Sequence, residues 1–170
     1  MVQGRFGSRR GAMRLSSAAT LVAVGVVVLV VSLPRLRDFA LRENEEDARL
    51  VVERLAALVE NEVQAGECAT NVEALVLKAP GYPRQFEDAE FLAGGTLMRR
   101  HGYLFEIGRP GDAVPVRAWP WQHRRTGFSA YAWTREQRLV GNANSDGSFS
   151  GPGRAPSVTS AEWLDIAENR

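Results

Sequence analysis

The stretch LSSAATLVAVGVVVLVVSL, residues 15–33, contains no charged side chain and constrains how the rest of the chain is arranged. At a helical rise of ~1.5 Å per residue, a helix of this length covers roughly 28 Å, close to the ~30 Å hydrocarbon core of a bilayer. Its valine-rich second half would weaken a helix in water, but inside lipid the backbone must satisfy its own hydrogen bonds. The sequence therefore predicts one transmembrane helix over residues 15–33.

The flanks of this segment leave two interpretations open. Four arginines lie in the leader at residues 1–14, which also suits a cleaved secretory signal. However, the apolar run is longer than a signal core, and no small-x-small cleavage site follows it, so a retained anchor is favoured. Arginines also follow the run, at 35, 37 and 42. The balance favours a cytoplasmic leader, a single pass through the inner (cytoplasmic) membrane and a periplasmic or extracellular C-terminal domain.

Charge, cysteine content and the lack of cofactor motifs limit which partners, cross-links and cofactors are expected. The chain has 21 basic and 20 acidic residues, a net charge of +1, so the charge total gives no electrostatic reason to expect nucleic acid as a partner. Cys68 is the single cysteine, so no internal disulfide forms and packing alone must hold the domain together. No cofactor-binding motif is present, and none is predicted.

An amphipathic pattern continues directly from the apolar segment through residues 34–66. Apolar residues recur at spacings of three and four, which is the stripe of a helix that packs on a domain: Ala48, Val51, Val52, Leu55, Val59 and Val63. Pro34 alone interrupts the pattern, and a proline inside a helix usually kinks it. The prediction is one long, bent helix.

The remainder predicts a small α/β head at residues 67–151 and a tail at 152–170. Thr70 or Asn71 is suited to cap a short helix that ends near Leu77. A turn of helix is expected at Phe86–Leu92, and alternation then predicts strands at His101–Ile107 and Gly127–Trp133. A third short strand or hairpin is expected within RLVGNANSDGSFSG, residues 138–151, around Ser145-Asp146-Gly147, and the tail is expected to close as a helix from Ser160. The predicted class is α+β, with a long helix packed on a small antiparallel sheet.

This arrangement resembles the type IV pilins and the pseudopilins of type II secretion. The basic leader, the apolar span, the proline near its outer end and the amphipathic continuation carry the resemblance, as does HGYLFEI…GFSAYAW…G…DG in the C-terminal half. Alignment of Pro34 with the proline of that family implies a leader-peptidase junction between Ala12 and Met13, preceded by Gly11. The glutamate of the family then falls on Ser17.

The resemblance implies a pseudopilin-like structural or accessory subunit of a type II secretion or type IV pilus system, without catalysis. Its expected partners are the membrane, other pilin-like subunits and secretion platform proteins. The alternative is a membrane-tethered, pilin-fold binding module that does not polymerise, and the absent glutamate at Ser17 bears on this choice.

Two further groups of residues are candidate sites. Trp119, Trp121, Arg124 and Arg125 lie in the expected connection between the first two strands, and Trp and Arg are enriched at binding hot spots. The competing interpretation places one tryptophan in the core. Asn142, Asn144 and Asp146 follow the opening of a calcium loop, but Gly153 replaces the bidentate glutamate, which favours a plain turn. No catalytic constellation is found, so an enzyme is not expected.

Overall fold

The computed structural model describes residues 9–67, 71–81, 84–108, 116–157 and 163–165, with the backbone alone at 9–18 and at 164–165. These residues divide into two compact units: an N-terminal unit, Met1–Ala40, and a head unit, Leu41–Arg170. Cys68, Thr70 and Ser160 lie outside the described residues. The division falls inside the first helix, so the same helix supplies residues to both units.

Helix α1 runs over Arg9–Gln64 and contains Pro34. Helical backbone continues on both sides of the proline, as expected for a long helix that loses one backbone hydrogen bond at this position. In the described part of the N-terminal unit, the large apolar side chains from Leu21 to Phe39 are all exposed. The apolar segment has a mean hydropathy of 2.2 with none of it buried, and its length and composition allow it to span a membrane once.

The rest of α1 buries the predicted apolar stripe in the head unit. Leu41, Ala56 and the predicted residues from Ala48 to Val59 are buried, whereas Val63 is 44% exposed. The stripe therefore ends one turn earlier than predicted, just before the helix ends at Gln64. The exposed residues of this half are mainly charged, which explains why a helix with such a polar outer face remains stable in water.

Helix α2, Val72–Lys78, is the predicted short helix, and its N-cap is Asn71 rather than Thr70. The Asn71 side chain accepts a hydrogen bond from the backbone N–H of Ala74 at 2.7 Å, which satisfies one donor of the first turn. Three of its side chains, Val72, Leu75 and Val76, are buried in the core that α1 shares with the sheet, and α2 packs on β2 and β3.

Seven strands form one antiparallel sheet in which neighbours in sequence are neighbours in space, among the residues that the structure describes. They are β1 Glu90–Leu92, β2 Leu97–Arg100, β3 Tyr103–Ile107, β4 Val116–Pro120, β5 Ala130–Thr134, β6 Arg138–Asn142 and β7 Leu164–Asp165. The predicted strands correspond to β3, β5 and β6, which confirms an α+β fold with a small antiparallel sheet. Every pair of neighbouring strands is antiparallel, including β6 and β7, which the longest connection joins.

Two local predictions are wrong, and a third is confirmed in part. Residues 84–88 form turns and Glu90 begins β1, so the helical turn expected at Phe86–Leu92 is absent. Within residues 138–151 the expected short strand is β6 and Asp146-Gly147 lies in the expected turn, but no second strand follows it directly. At the C-terminus, Leu164–Asp165 pairs with β6 as β7 in place of the expected helix, because Trp163 is buried against the sheet.

The sheet has a core on each face. On the helix side, Tyr103 and Phe105 of β3 and Tyr131 and Trp133 of β5 pack against α1 and α2. The alternate residues of the same strands form the second core with Trp119, Val140 and Trp163. The alternation predicted for β3 is therefore confirmed, since Leu104 faces away from Tyr103 and Phe105.

Candidate functional site

Strand β5 runs alongside α1, and the contacts of α1 before and after this strand mark two ends of the head unit. Before β5, Glu45 Oε1 accepts hydrogen bonds from the backbone N–H groups of Phe128 and Ser129 at 2.9 and 3.0 Å. After β5, Arg138 Nη1 lies 3.2 Å from Glu60 Oε1. These two glutamates are about 22 Å apart at the helical rise of ~1.5 Å per residue. We call the end around Asn44–Asp47 the entry end and the end around Glu60 the far end.

A cluster of charged side chains ties the β2–β3 turn to α1 at the entry end. Arg100 Nη1 lies 3.1 Å from Asp47 Oδ1, and Arg100 Nε lies 2.7 Å from Asp88 Oδ1. The His101 ring lies between the same two carboxylates, with Nδ1 3.0 Å from Asp47 Oδ2 and Nε2 near Asp88. An imidazolium donates to both acids, whereas a neutral ring donates to one. Four side chains from three segments thus form one network.

The electrostatics of this network favour an ionised Asp88. Burial acts to raise the pKa of Asp88, but the hydrogen bond and charge of Arg100, together with the charge of His101, outweigh it and lower the pKa below its ordinary 3.8. Arg100 is mostly buried and contacts both acids, so its charge is compensated locally. The network is therefore suited to fixing the turn in place.

A cavity of about 370 Å³ opens beside this network. Its walls include Glu90 and Arg99, which form an ion pair across β1 and β2, and the half-buried Trp121. The Arg99 guanidinium lies 5.0 Å from the centre of the Trp121 ring, within range of a cation–π interaction. The cavity offers one aromatic face among paired charges, which suits binding of a polar group better than nucleophilic chemistry.

The four residues predicted to bind a partner are separated by the structure. Trp119 lies in β4, is 1% exposed and donates its indole N–H to the Gly151 carbonyl at 2.8 Å. Trp119 thus lies in a strand and not in an exposed connection, and its side chain faces the second core together with Leu104, which confirms the interpretation that places one tryptophan in the core. Trp121 lines the cavity, while Arg124 and Arg125 are exposed in the segment that follows. Binding of a partner by these three residues stays a prediction.

Residues 122–128, which we call the basic loop, form a hydrogen-bonded turn at the entry end. The N–H groups of Arg125 and Thr126 donate to the Gln122 carbonyl, and that of Arg124 donates to Gly127 at 2.8 Å. Asn44 Nδ2 of α1 donates to the Thr126 carbonyl at 2.9 Å. Together with the bonds to Glu45, this contact holds the basic loop on the first turns of α1 in the head unit.

The candidate calcium loop also lies at this end, and its oxygens already accept hydrogen bonds from the backbone. Asn142 Oδ1 accepts from Asn144 N at 2.6 Å, and Asp146 Oδ1 accepts from Ser148 N at 3.1 Å. The buried Asn144 has φ +47° and bonds to both Phe128 and Phe149. This arrangement is a chain of side-chain-capped turns, and calcium binding stays an untested prediction. Among the described residues, no group of three or more His, Cys, Asp or Glu is placed to hold a metal ion.

Comparison of the chain with protein-family models, with curated proteins and with solved structures gives no match. The chain's own residues therefore carry the functional argument. Gly11, Ala12, Met13 and Ser17 lie on helical backbone in α1, and their side chains lie outside the description. The proposed leader-peptidase junction stays a prediction.

Sequence reasoning missed the network of Asp47, Asp88, Arg100 and His101. One local signal was present, since His101-Gly102 separates two strands by two residues, the pattern of a tight hairpin. Both residues have positive φ, +43° and +75°, as such a turn requires. A Cβ on Gly102 would collide with Thr126, so glycine also allows the basic loop to approach.

Proposed function

We propose that this chain is a pseudopilin-like structural or accessory subunit of a type II secretion or type IV pilus system, with no catalytic role. It is anchored in the inner membrane through residues 15–33, with the head unit on the periplasmic or extracellular side. One observation carries the proposal: a single helix, α1, presents exposed apolar side chains in the N-terminal unit and buried ones under an antiparallel sheet in the head unit.

The chemistry of the exposed half supports assembly through that segment. Contiguous apolar side chains such as Leu21, Val27 and Leu29 are 60–74% exposed, which is unfavourable in water and favourable in lipid or against other apolar helices. The head unit has its own two cores, and among the described residues the large apolar side chains of the N-terminal unit are exposed. Neighbouring subunits with similar helices are partners of the right chemistry.

A second candidate function, a tethered module that never polymerises, is favoured by Ser17. In the filaments that the family builds, a glutamate at this position is expected to neutralise the N-terminal amine of a neighbour inside the apolar filament core. An unpaired charge there costs several kcal/mol. Serine carries no charge, so this chain is expected not to form a homopolymer by itself.

Mass spectrometry and cross-linking of the membrane-extracted protein test these two functions together. A subunit is expected to cross-link through α1 to other apolar-helix proteins, whereas a tethered module keeps residues 1–12 and shows no such neighbours. Ser17→Glu is the matched variant, and it is expected to increase cross-linking of the chain to itself. Filaments built from the unaltered chain alone, beginning at a processed Met13, would contradict the role assigned to Ser17.

A further inference from the structure

The basic loop lies close, along the chain, to the segment that is suited to the membrane. Its anchor points on α1 are Asn44 and Glu45, which follow Leu33 by 11 and 12 residues. At ~1.5 Å per residue this separation is at most about 18 Å while the backbone is helical. The polar headgroup layer extends roughly 5–8 Å beyond the hydrocarbon core on each side. The covalent chain thus holds the anchor points of the loop within about 9–13 Å of the headgroup layer.

The side chains on this loop match the chemistry of an anionic lipid surface. Arg124 and Arg125 are exposed, and Arg125 Nη1 donates to the neutral Gln122 amide oxygen at 3.4 Å. Beside them Phe128 is 41% exposed, with its ring edge-to-face with His123 at 6.0 Å between centres. Cationic and aromatic side chains together are the usual composition of a membrane-surface contact.

The loop is also held in a fixed conformation before any lipid arrives. Its own backbone bonds, the Asn44 and Glu45 contacts and the Asn144 bond to the Phe128 carbonyl at 3.0 Å position the two arginines and the phenylalanine on one short segment. Glu45 accepts hydrogen bonds from the backbone N–H groups of Phe128, at the end of the loop, and of the next residue, Ser129, so one of its oxygens is engaged by the backbone. A preformed segment loses little conformational entropy when it binds.

We infer that the basic loop is a second membrane contact, in which Arg124 and Arg125 bind anionic phospholipid headgroups and Phe128 enters the interface. This contact orients the head unit with its entry end toward the bilayer. The inference rests on the membrane anchor of the proposed function, but not on a pilin-like assembly. A failure of the loop contact is therefore distinguishable from a failure of the anchor, because incorporation of the chain into a bilayer is measured separately.

Fluorine NMR of the full chain in lipid nanodiscs tests this contact. Phenylalanine is replaced biosynthetically by fluorophenylalanine, the Phe128 signal is assigned by its loss in Phe128→Leu, and the nanodiscs carry a headgroup nitroxide. The nitroxide is expected to broaden the Phe128 signal when a quarter of the phosphatidylcholine is replaced by phosphatidylglycerol. At low salt, the ratio of membrane-bound to unbound basic loop is expected to rise on the order of ten-fold. The buried Phe105 signal serves as the internal reference.

Matched double variants identify the groups responsible. The double variant Arg124→Gln with Arg125→Gln is expected to abolish the effect of phosphatidylglycerol, and 1 M salt is expected to do the same. The control is Arg135→Gln with Arg138→Gln at the far end, which removes the same amount of charge. In this control, the effect of phosphatidylglycerol is expected to remain. Equal broadening with and without phosphatidylglycerol would overturn the headgroup contact in favour of apolar insertion alone. Loss of the effect in both double variants, or broadening only in native membranes that contain other proteins, would also overturn it.

Discussion

Replacing Phe105 by alanine is expected to lower the free energy of unfolding of the head unit by about 3–5 kcal/mol. Phe105 has no exposed surface, lies at the centre of β3 and packs in the core between the sheet and α1. Removing its ring leaves a cavity that the two flanking strands cannot close, since β3 is paired with both β2 and β4. Urea unfolding of the full chain in detergent micelles, followed by tryptophan fluorescence, measures the change.

The matched control is Phe128→Ala, the same chemical change at the exposed entry end. It is expected to cost less than about 1 kcal/mol, because a partly exposed ring loses little buried area. All four tryptophans lie in the head unit, so the fluorescence reports on this unit alone. Equal midpoints for Phe105→Ala and the unaltered chain would show that β3 does not pack on α1.

Replacing Trp119 by alanine in the otherwise unaltered chain is also expected to lower the free energy of unfolding of the head unit by about 3–5 kcal/mol, because it leaves a cavity in the second core. The Trp119 ring lies opposite Leu104 in the register of β3 and β4, and its indole N–H bonds the Gly151 carbonyl. The substitution therefore removes both a large buried ring and one of two hydrogen bonds between Gly151 and β4. The same urea experiment measures it.

Trp121→Ala is the matched control, since this ring is half-buried at the cavity and stacks with Arg99. We expect a loss of about 1 kcal/mol or less, the size of an exposed cation–π contact. A similar loss in both variants would contradict the assignment of Trp119 to the core and Trp121 to the surface.

The helical part of this fold was predictable because its signal is long and periodic. The apolar run and the stripe from Ala48 to Val59 each repeat over several turns, and the structure follows both. The end of the stripe was not predictable, because Val63 keeps the helical spacing but the sheet does not extend over it. Whether an apolar residue at the right spacing is covered depends on the partner element.

The strands were predictable only where alternation was strong. β3 and β5 carry aromatic and small apolar residues, whereas β1 and β2 are short and rich in charge, so no period stands out. Strand β4 was hidden by Trp119-Pro120, which favours a loop. The structure accommodates Pro120 because pairing with β5 covers only Val116–Ala118, and Pro120 lies beyond it.

The network at the entry end was beyond sequence reasoning for a different reason. Asp47 and His101 are 54 residues apart, and Asp47 belongs to an acidic run that is typical of a solvated helix face. Only the pairing of β2 with β3 and the packing of the sheet on α1 bring these side chains together. Such contacts follow from tertiary structure and leave no local pattern in the chain.

Membrane flotation after alkaline carbonate treatment tests most directly the claim that residues 15–33 anchor this chain. The full-length protein is expected to float with lipid through a density gradient after carbonate and high salt, and to leave the lipid fraction only in detergent, because nineteen uncharged residues favour the hydrocarbon core. Flotation separates lipid-embedded protein from aggregates, which sink. Recovery of the chain in the soluble fraction after carbonate would contradict the anchor and, with it, the proposed subunit.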